Sequence, residues 1–213
     1  MTKSSPKTRV VLIGGTSNVG KSTLAKSLAA QLDWHYRPTD KMARHPGFPW
    51  VGPDGQPRPD FVLEHYRTLE VEELLADVLA HYLKNVVPQV EALISEVRRR
   101  DEGRGVIIEG SALWPEFVVK LAYEDDVEAL WLIAGNDLLR DRIYWRSGYD
   151  YASDDEKFVI QKFLDRTWLY NERMREKLVE LGLRFMNVEE VKSPGELLRR
   201  CLGKLELGDV PPR

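Results

Sequence analysis

The residues with the clearest chemical meaning lie near the start of the chain and follow the pattern Gly, any four residues, Gly, Lys, Ser/Thr: Gly15-Thr16-Ser17-Asn18-Val19-Gly20-Lys21-Ser22. An apolar run at residues 10–13, typical of a buried strand, precedes the pattern. After it, leucines recur at every fourth position, as on one face of a helix. A glycine-rich loop between a strand and a helix lets successive backbone N–H groups point inward and bind a phosphate. The sequence therefore predicts a phosphate-binding loop.

The residues of this loop have expected partners on a nucleoside triphosphate. The Lys21 ammonium bridges the β- and γ-phosphates, and the Ser22 hydroxyl ligates Mg²⁺. We therefore expect ATP and Mg²⁺ as cofactors. The sequence contains no Asn-Lys-x-Asp motif, which a GTPase needs to read its base. The nucleotide contacts are expected from the loop and the residue after it: Gly15, Thr16, Ser17, Asn18, Val19, Gly20, Lys21, Ser22 and Thr23.

A carboxylate suited to orienting an acceptor hydroxyl and receiving its proton follows the second predicted strand, at residues 34–37. This residue is Asp40, and the end of a strand beside the phosphate loop faces the γ-phosphate. We predict a catalytic role for Asp40. The alternative is that Asp40 caps a short helix over residues 41–44.

A second carboxylate, Glu109, ends the predicted strand at residues 106–108. It can hold Mg²⁺ through its water shell, or it can contact the acceptor. Gly110 and Ser111 follow, and we expect them to let a substrate approach the backbone. A structural salt bridge is the alternative role for Glu109.

Two arginines, Arg142 and Arg146, are four residues apart and project from one face of the helix predicted at residues 136–146. A turn follows them, so the segment at residues 142–154 is a candidate lid. Closure over ATP brings these guanidiniums to the transferring phosphoryl group, where negative charge must be stabilised. The alternative is a solvated helix face. Arg166, on the next helix, is a further candidate of the same kind.

Short apolar runs alternate with longer helical patterns, and this order predicts a parallel sheet with helices on both faces, an α/β fold. Strands are predicted at residues 10–13, 34–37, 106–108, 128–133 and 183–188. Helices are predicted at residues 21–32, at 71–100 with a kink or break at Pro88, at 136–146, from a Ser153 cap to 181, and after Ser193.

Residues 46–59 contain five prolines and three glycines, which predicts a loop. We expect this loop, at about residues 45–60, on the acceptor side. His45 at its start is either an anion ligand or a surface residue, and the surface role is favoured. The aromatic residues Trp50, Tyr66 and Trp114 either line an acceptor pocket or belong to the core.

The whole chain is long enough for one domain, expected at residues 1–213 with its core at about 8–204. Its net charge of −3 gives no general attraction for nucleic acid or an anionic membrane. One cysteine, Cys201, excludes an internal disulfide and is expected to be a buried thiol. No apolar run is long enough to span a bilayer, and we expect a cytoplasmic monomer or homodimer.

These motifs resemble those of P-loop small-molecule kinases in the shikimate, gluconate and adenylate kinase-like group, including the chloramphenicol phosphotransferase-like enzymes. Residues 189–197 resemble the adenine-side segment of such kinases, and residues 12–44 are similar to the start of 2-phosphoglycerate kinase-like proteins. The resemblance implies a five-stranded parallel core, a mobile lid, and ATP-dependent transfer to a hydroxyl or phosphate of a small molecule. It also implies that Asp40 and Arg44 are acceptor-side residues, and Arg44 indicates an anionic acceptor.

Two other functions are compatible with a phosphate loop. A nucleotide or polynucleotide 5′-kinase would need a basic acceptor surface, and the only obvious basic cluster is at residues 98–100. That cluster lies at a predicted helix C-terminus, where cations complement the helix dipole. A non-catalytic ATP-binding regulator would have no need of the lid arginines. We therefore favour a small-metabolite kinase that does not bind nucleic acid.

Overall fold

In the computed structural model, which describes residues 8–43, 45–51, 56–100, 104–205 and 207, the centre of the chain is a five-stranded sheet. All its strand pairs are parallel, and the strand order is β2-β3-β1-β4-β5. The predicted fold class is therefore confirmed, and each strand lies within two residues of its predicted bounds. The strands are β1 Val10–Gly15, β2 His35–Pro38, β3 Val106–Glu109, β4 Val127–Ile133 and β5 Phe185–Asn187.

Eight α-helices accompany the strands in the described residues. They are α1 Lys21–Leu32, α2 Asp60–Thr68, α3 Val71–His81, α4 Val87–Arg99, α5 Pro115–Ala122, α6 Asn136–Ser147, α7 Asp154–Glu180 and α8 Pro194–Leu202. Two short 3₁₀ turns lie at Thr39–Lys41 and Tyr149–Tyr151. In the described chain, none of these helices combines the length and the apolar character that crossing a membrane requires.

Side chains of β1 alternate between the two faces of the sheet, and both faces are fully buried. Val10 and Leu12 pack with α3, α4, α5 and α7, whereas Val11 and Ile13 pack with α1 and α8. Cys201 of α8 lies in the second of these clusters and is inaccessible to solvent, as predicted. Burial raises the pKa of its thiol to about 12, so the thiol stays protonated at neutral pH.

The long helical pattern at residues 71–100 is broken, as predicted, but the break begins before Pro88. A π-helical turn at Tyr82–Val86 separates α3 from α4, and Pro88 is the second residue of α4. Proline has no N–H and its ring clashes with the carbonyl four residues earlier, here that of Lys84. The wider π turn places the irregular backbone where that clash would arise.

A third buried cluster joins α2, α3, α6 and α7. It includes Trp50 from the Pro-rich loop, whose described parts, residues 45–51 and 56–59, contain no helix or strand. Residues 52–55 of this loop lie outside the described residues. Helix α7 begins with the predicted Ser153 cap, which forms a reciprocal capping box with Glu156. This cluster therefore places one end of α7 against the predicted acceptor side.

Candidate active site

The loop between β1 and α1 has the winding that phosphate binding requires. Gly15, Asn18 and Gly20 have positive φ angles of 140°, 65° and 104°, a region that glycine adopts freely and asparagine tolerates. Gly20 precedes α1 and provides no side-chain cap, so no side chain of that residue occupies the positive end of the helix. The backbone thus forms an anion-binding concavity at the carboxyl end of β1.

Lys21 lies over this loop and is 8% exposed. Its Nζ donates a 2.6 Å hydrogen bond to the Thr16 carbonyl oxygen. Burial lowers the pKa of Lys21, and the negative charges of Glu109 and Asp40 oppose that effect. The ammonium group therefore lies between the phosphate loop and the two carboxylates that sequence analysis assigned to the site.

Glu109 is 3% exposed and accepts two hydrogen bonds from hydroxyl groups. Ser22 Oγ donates to Oε1 over 3.0 Å, and the Tyr36 phenol donates to the same oxygen over 2.7 Å. Burial, followed by the bond to Glu109, raises the pKa of Tyr36, so the phenol remains a donor. Among the described residues Glu109 forms no ion pair, which argues against the salt-bridge alternative.

Two of the three arginines of α6 reach the phosphate loop. Arg142 Nη1 donates to the Asn18 carbonyl oxygen over 2.9 Å, and Arg146 Nη1 donates to Asn18 Oδ1 over 2.7 Å. Burial lowers the pKa of Arg142, yet a guanidinium stays charged at neutral pH. Both cations therefore lie beside the loop, and their contacts with Asn18 fix its side chain and backbone.

Asp40 is exposed and lines a cavity together with Lys21 and Ser22. It is the middle residue of the Thr39–Lys41 turn, which has no side-chain cap. Asp40 therefore does not cap a helix at this position. Arg44, the other predicted acceptor-side residue, lies outside the described residues.

Gly110 and Ser111 follow β3, as predicted, and have different surroundings. A Cβ atom on Gly110 would lie 1.7 Å from Thr39 Oγ1, and the φ angle of Gly110 is +154°. The close approach of Thr39 therefore requires glycine at this position. Ser111 lines the cavity beside Asp40, and its carbonyl oxygen accepts a 2.5 Å hydrogen bond from the Tyr170 hydroxyl.

Two cavities meet at the phosphate loop. One, of about 440 Å³, lies between the loop, α6 and residues 188–197, the segment predicted on the adenine side. The other, of about 380 Å³, contains Asp40, Glu109 and part of the Pro-rich loop. Four residues line both cavities: Asn18, Lys21, Ser22 and Arg146.

Arg166, the further candidate on α7, lies on the acceptor side of the site, where Arg146 also lines the cavity. It is 8% exposed and lines the smaller cavity. Its Nη1 donates a 2.9 Å hydrogen bond to the Tyr66 hydroxyl, and its guanidinium lies 4.7 Å from the Phe163 ring centre. The sequence contains a signal for a buried arginine here, because Arg166 interrupts the apolar stripe of α7.

The aromatic residues and the histidine considered for the acceptor side have different positions in the structure. Trp50 lines the acceptor cavity, whereas Tyr66 and Trp114 are buried in the core. The expectation that His45 is a surface residue is wrong, because its side chain is 11% exposed. His45 also lines the acceptor cavity, and its neighbours come from α2 and α3, which no local sequence pattern could reveal.

Comparison with known proteins identifies the class of fold. No family model matches the sequence, and a search of curated proteins gives no match. Among solved structures, the chain is similar to a gluconokinase from Sinorhizobium meliloti 1021, with a TM-score of 0.52 and 16% identity over 95% of this chain and 93% of that one. It is also similar to deoxyadenosine kinase from M. mycoides with bound dATP, with a TM-score of 0.51 and 12% identity over 92% and 98% of the two chains. At these identities the likeness establishes a shared fold.

Proposed function

We propose that this protein is a kinase that transfers the γ-phosphate of Mg·ATP to a hydroxyl or phosphate group of a small-molecule metabolite. The observation that carries this proposal is the meeting of two cavities at Lys21 and Ser22. A nucleotide in the larger cavity would present its last phosphate where an acceptor in the smaller one could reach it. A protein that only binds ATP has no need of the second cavity.

Catalysis of phosphoryl transfer depends mainly on positioning the reactants and stabilising negative charge. The groups on the nucleotide side can do both. The loop amides hold the phosphates, and Lys21 exchanges its bond to Thr16 for phosphate oxygens. Arg142 and Arg146 supply positive charge at the same place. Trp145, 85% exposed, lines the larger cavity and offers a surface on which the adenine ring can stack.

Ser22 and Glu109 suit Mg²⁺, because this ion prefers oxygen ligands. Their side-chain oxygens lie 3.0 Å apart at the boundary of the two cavities. In this proposal the Ser22 hydroxyl binds the ion directly, and Glu109 holds it through its water shell. When bound, Mg²⁺ neutralises charge on the phosphates.

The acceptor side supports an anionic metabolite. Asp40 would orient the attacking hydroxyl and receive its proton. Arg166 is a buried cation. Within the described chain it contacts the Tyr66 and Phe163 side chains but forms no ion pair. A carboxylate or phosphate on the acceptor would supply the missing counter-charge, since a buried guanidinium normally has an anionic partner.

The basic cluster at residues 98–100 does not support a polynucleotide acceptor. Arg98 forms ion pairs with Glu124 and Asp126, and Arg100 pairs with Glu96. The charges of Arg98 and Arg100 are therefore already compensated within the protein. They lie at the end of α4, and none of them lines either cavity described above.

The test is ADP release by the full chain with Mg·ATP, measured with and without pooled metabolites divided into anionic and neutral sets. We expect turnover to be stimulated by a pool of anionic, hydroxyl-bearing compounds, and labelled γ-phosphate to appear in one of them. Tight ATP binding without stimulation by any pool would instead support a regulatory protein. Absence of nucleotide binding by the folded protein would overturn the site itself.

A further inference from the structure

Three of the four histidines in the chain meet behind one wall of the acceptor cavity, although they are far apart in sequence. His45 comes from the start of the Pro-rich loop, His65 from α2, and His81 from the last residue of α3. The ring of His45 lies 5.6 Å from that of His65 and 5.0 Å from that of His81. Asp77 lies four residues before His81, and therefore on the same face of α3.

The distances within this cluster suit a small metal ion. Asp77 Oδ2 lies 3.1 Å from His45 Nε2 and 3.8 Å from His65 Nε2. The three ligand atoms all lie within 4.8 Å of one another. Tetrahedral Zn²⁺, with bonds of about 2.1 Å to nitrogen and oxygen, separates its ligand atoms by roughly 3.4 Å. The observed distances lie on either side of that value.

Hydrogen bonding within the cluster is incomplete. Nε2 of His65 and Nε2 of His81 are both buried, and neither has a hydrogen-bond partner among the described residues. Buried polar atoms in proteins nearly always have a partner. The unpartnered His65 nitrogen, 3.8 Å from Asp77 Oδ2, therefore points to a ligand, and a metal ion can accept its lone pair.

The third histidine packs beside the proposed ligands. Nδ1 of His81 accepts a 3.1 Å hydrogen bond from the side-chain amide nitrogen of Asn85, one turn further along the chain. With Nδ1 accepting, the proton of the neutral ring lies on Nε2, so His81 packs against His45 and is not itself a ligand.

One carboxylate and one cation face the cluster. Asp77 supplies a negative charge, and its side chain is 52% exposed, which gives an ion a path from solvent. The positive charge of Arg166 acts against a cation here, so binding depends on Asp77.

We propose that His45, His65 and Asp77 bind one divalent transition-metal ion, and that the ion is Zn²⁺. Imidazole nitrogens with one carboxylate are a donor set that suits Zn²⁺ and excludes Mg²⁺. The site is separate from the Mg²⁺ position at Ser22. It would tie the start of the Pro-rich loop to α2 and α3, and so fix one wall of the acceptor cavity.

The test uses the full chain without a polyhistidine tag, freed of metal with a chelator. Zinc is added, free metal is removed by gel filtration, and bound metal is measured by mass spectrometry. We expect one zinc ion per chain, with an affinity that millimolar Mg²⁺ does not change. Asp77→Asn and His65→Gln should each bind zinc at least about 100-fold more weakly, because each substitution removes one ligand.

His35→Gln is the matched control, because His35 is the remaining histidine and lies exposed on β2. It should bind zinc like the unmodified protein. Circular dichroism checks that each variant is folded, and exposed Asp77 is the position least able to disturb folding when changed. Less than a tenth of an equivalent of zinc in the unmodified protein, or full binding by folded Asp77→Asn, would overturn the proposal. Neither measurement requires ATP, so a failure of the kinase proposal remains distinguishable.

Discussion

The side chain of Ser22 donates a 3.0 Å hydrogen bond to Glu109, a residue 87 positions later in the chain. The contact depends on strand register, because β1 and β3 are parallel neighbours and Ile13 lies opposite Glu109. The end of β3 is thereby brought beside the first turn of α1. A hydroxyl and a carboxylate from distant segments thereby form a hydrogen-bonded pair beside the phosphate loop, at the position proposed for Mg²⁺.

The first prediction tests this pair. Glu109→Gln preserves the shape of the side chain and removes its charge, so we expect Mg²⁺ to be held less tightly. The Mg²⁺ concentration for half-maximal turnover should rise about 10- to 100-fold, as for loss of an outer-shell metal contact. A Mg²⁺ titration at saturating ATP measures it, and Glu172→Gln, an exposed carboxylate of α7, is the control. An unchanged Mg²⁺ requirement would remove Glu109 from the metal site.

The second prediction concerns the phosphate loop. Lys21→Ala removes a buried ammonium group that we place on the β- and γ-phosphates, so acceptor-stimulated turnover should fall at least about 100-fold. The fold should persist, because among the described residues the Lys21 side chain forms one hydrogen bond, to the Thr16 carbonyl oxygen. Lys120→Ala, at an exposed position of α5, should retain full turnover. Turnover near normal in folded Lys21→Ala would contradict the site assignment.

Much of this nucleotide side was predictable because its signals are local. The glycine pattern, the strand before it and the helix after it occupy one continuous segment, and the Ser153 cap of α7 is also a local signal. The acceptor side was not predictable in the same way. Arg166 and His45 acquire their surroundings only when α2, α3 and α7 pack together.

The two helices absent from the sequence prediction have physical reasons for their weak signals. α2 has nine residues and directly follows Pro59, so it looks like the end of the Pro-rich loop. α5 has eight residues and begins at Pro115 after Trp114, which offers no side-chain cap. Helices this short depend on tertiary packing for their stability, and a sequence pattern reports such packing poorly.

The third prediction separates acceptor activation from nucleotide binding. Asp40→Asn keeps a hydrogen-bonding side chain but cannot accept the proton of an acceptor hydroxyl. We expect acceptor-stimulated turnover to fall about 100-fold or more, with ATP affinity within about threefold of normal. ATP binding is measured by calorimetry and turnover by ADP release, with Asp60→Asn at an exposed position of α2 as the control. Equal turnover in the two variants would leave Asp40 without a catalytic role.

The fourth prediction asks whether Arg166 recognises a negative charge on the acceptor. With the compound identified in the metabolite screen, Arg166→Gln should raise the acceptor KM about 100-fold and leave the ATP KM unchanged. Arg166→Lys keeps the charge but not the planar guanidinium group. Its acceptor KM should therefore lie between that of the unmodified protein and that of Arg166→Gln. If Arg166→Gln raised both KM values equally, the residue would instead support the site structurally through Tyr66 and Phe163.

A charged cluster far from the site gives a prediction about stability. Arg98 donates to both carboxylate oxygens of Asp126, over 2.8 Å and 2.6 Å, and also pairs with Glu124. The hydrogen bonds from Arg98 lower the pKa of Asp126 below its ordinary value of 3.8. Because the pKa is lower in the folded state, the interaction stabilises the fold above pH 3.8, and the stabilisation is lost as pH falls through the folded-state pKa.

We therefore expect Asp126→Asn to reduce the free energy of unfolding by about 1 kcal/mol at neutral pH, a value appropriate to a partly exposed bidentate pair. The difference from the unmodified protein should be constant above about pH 5 and should shrink steadily below it, since Asp126 then takes up a proton in the unfolded state and does so in the folded state only at lower pH. Urea unfolding at several pH values between 7.5 and 3 measures this difference, with Glu172→Gln as the control. A difference that stayed constant down to pH 3 would show that the effect of the substitution is not that of the charge pair.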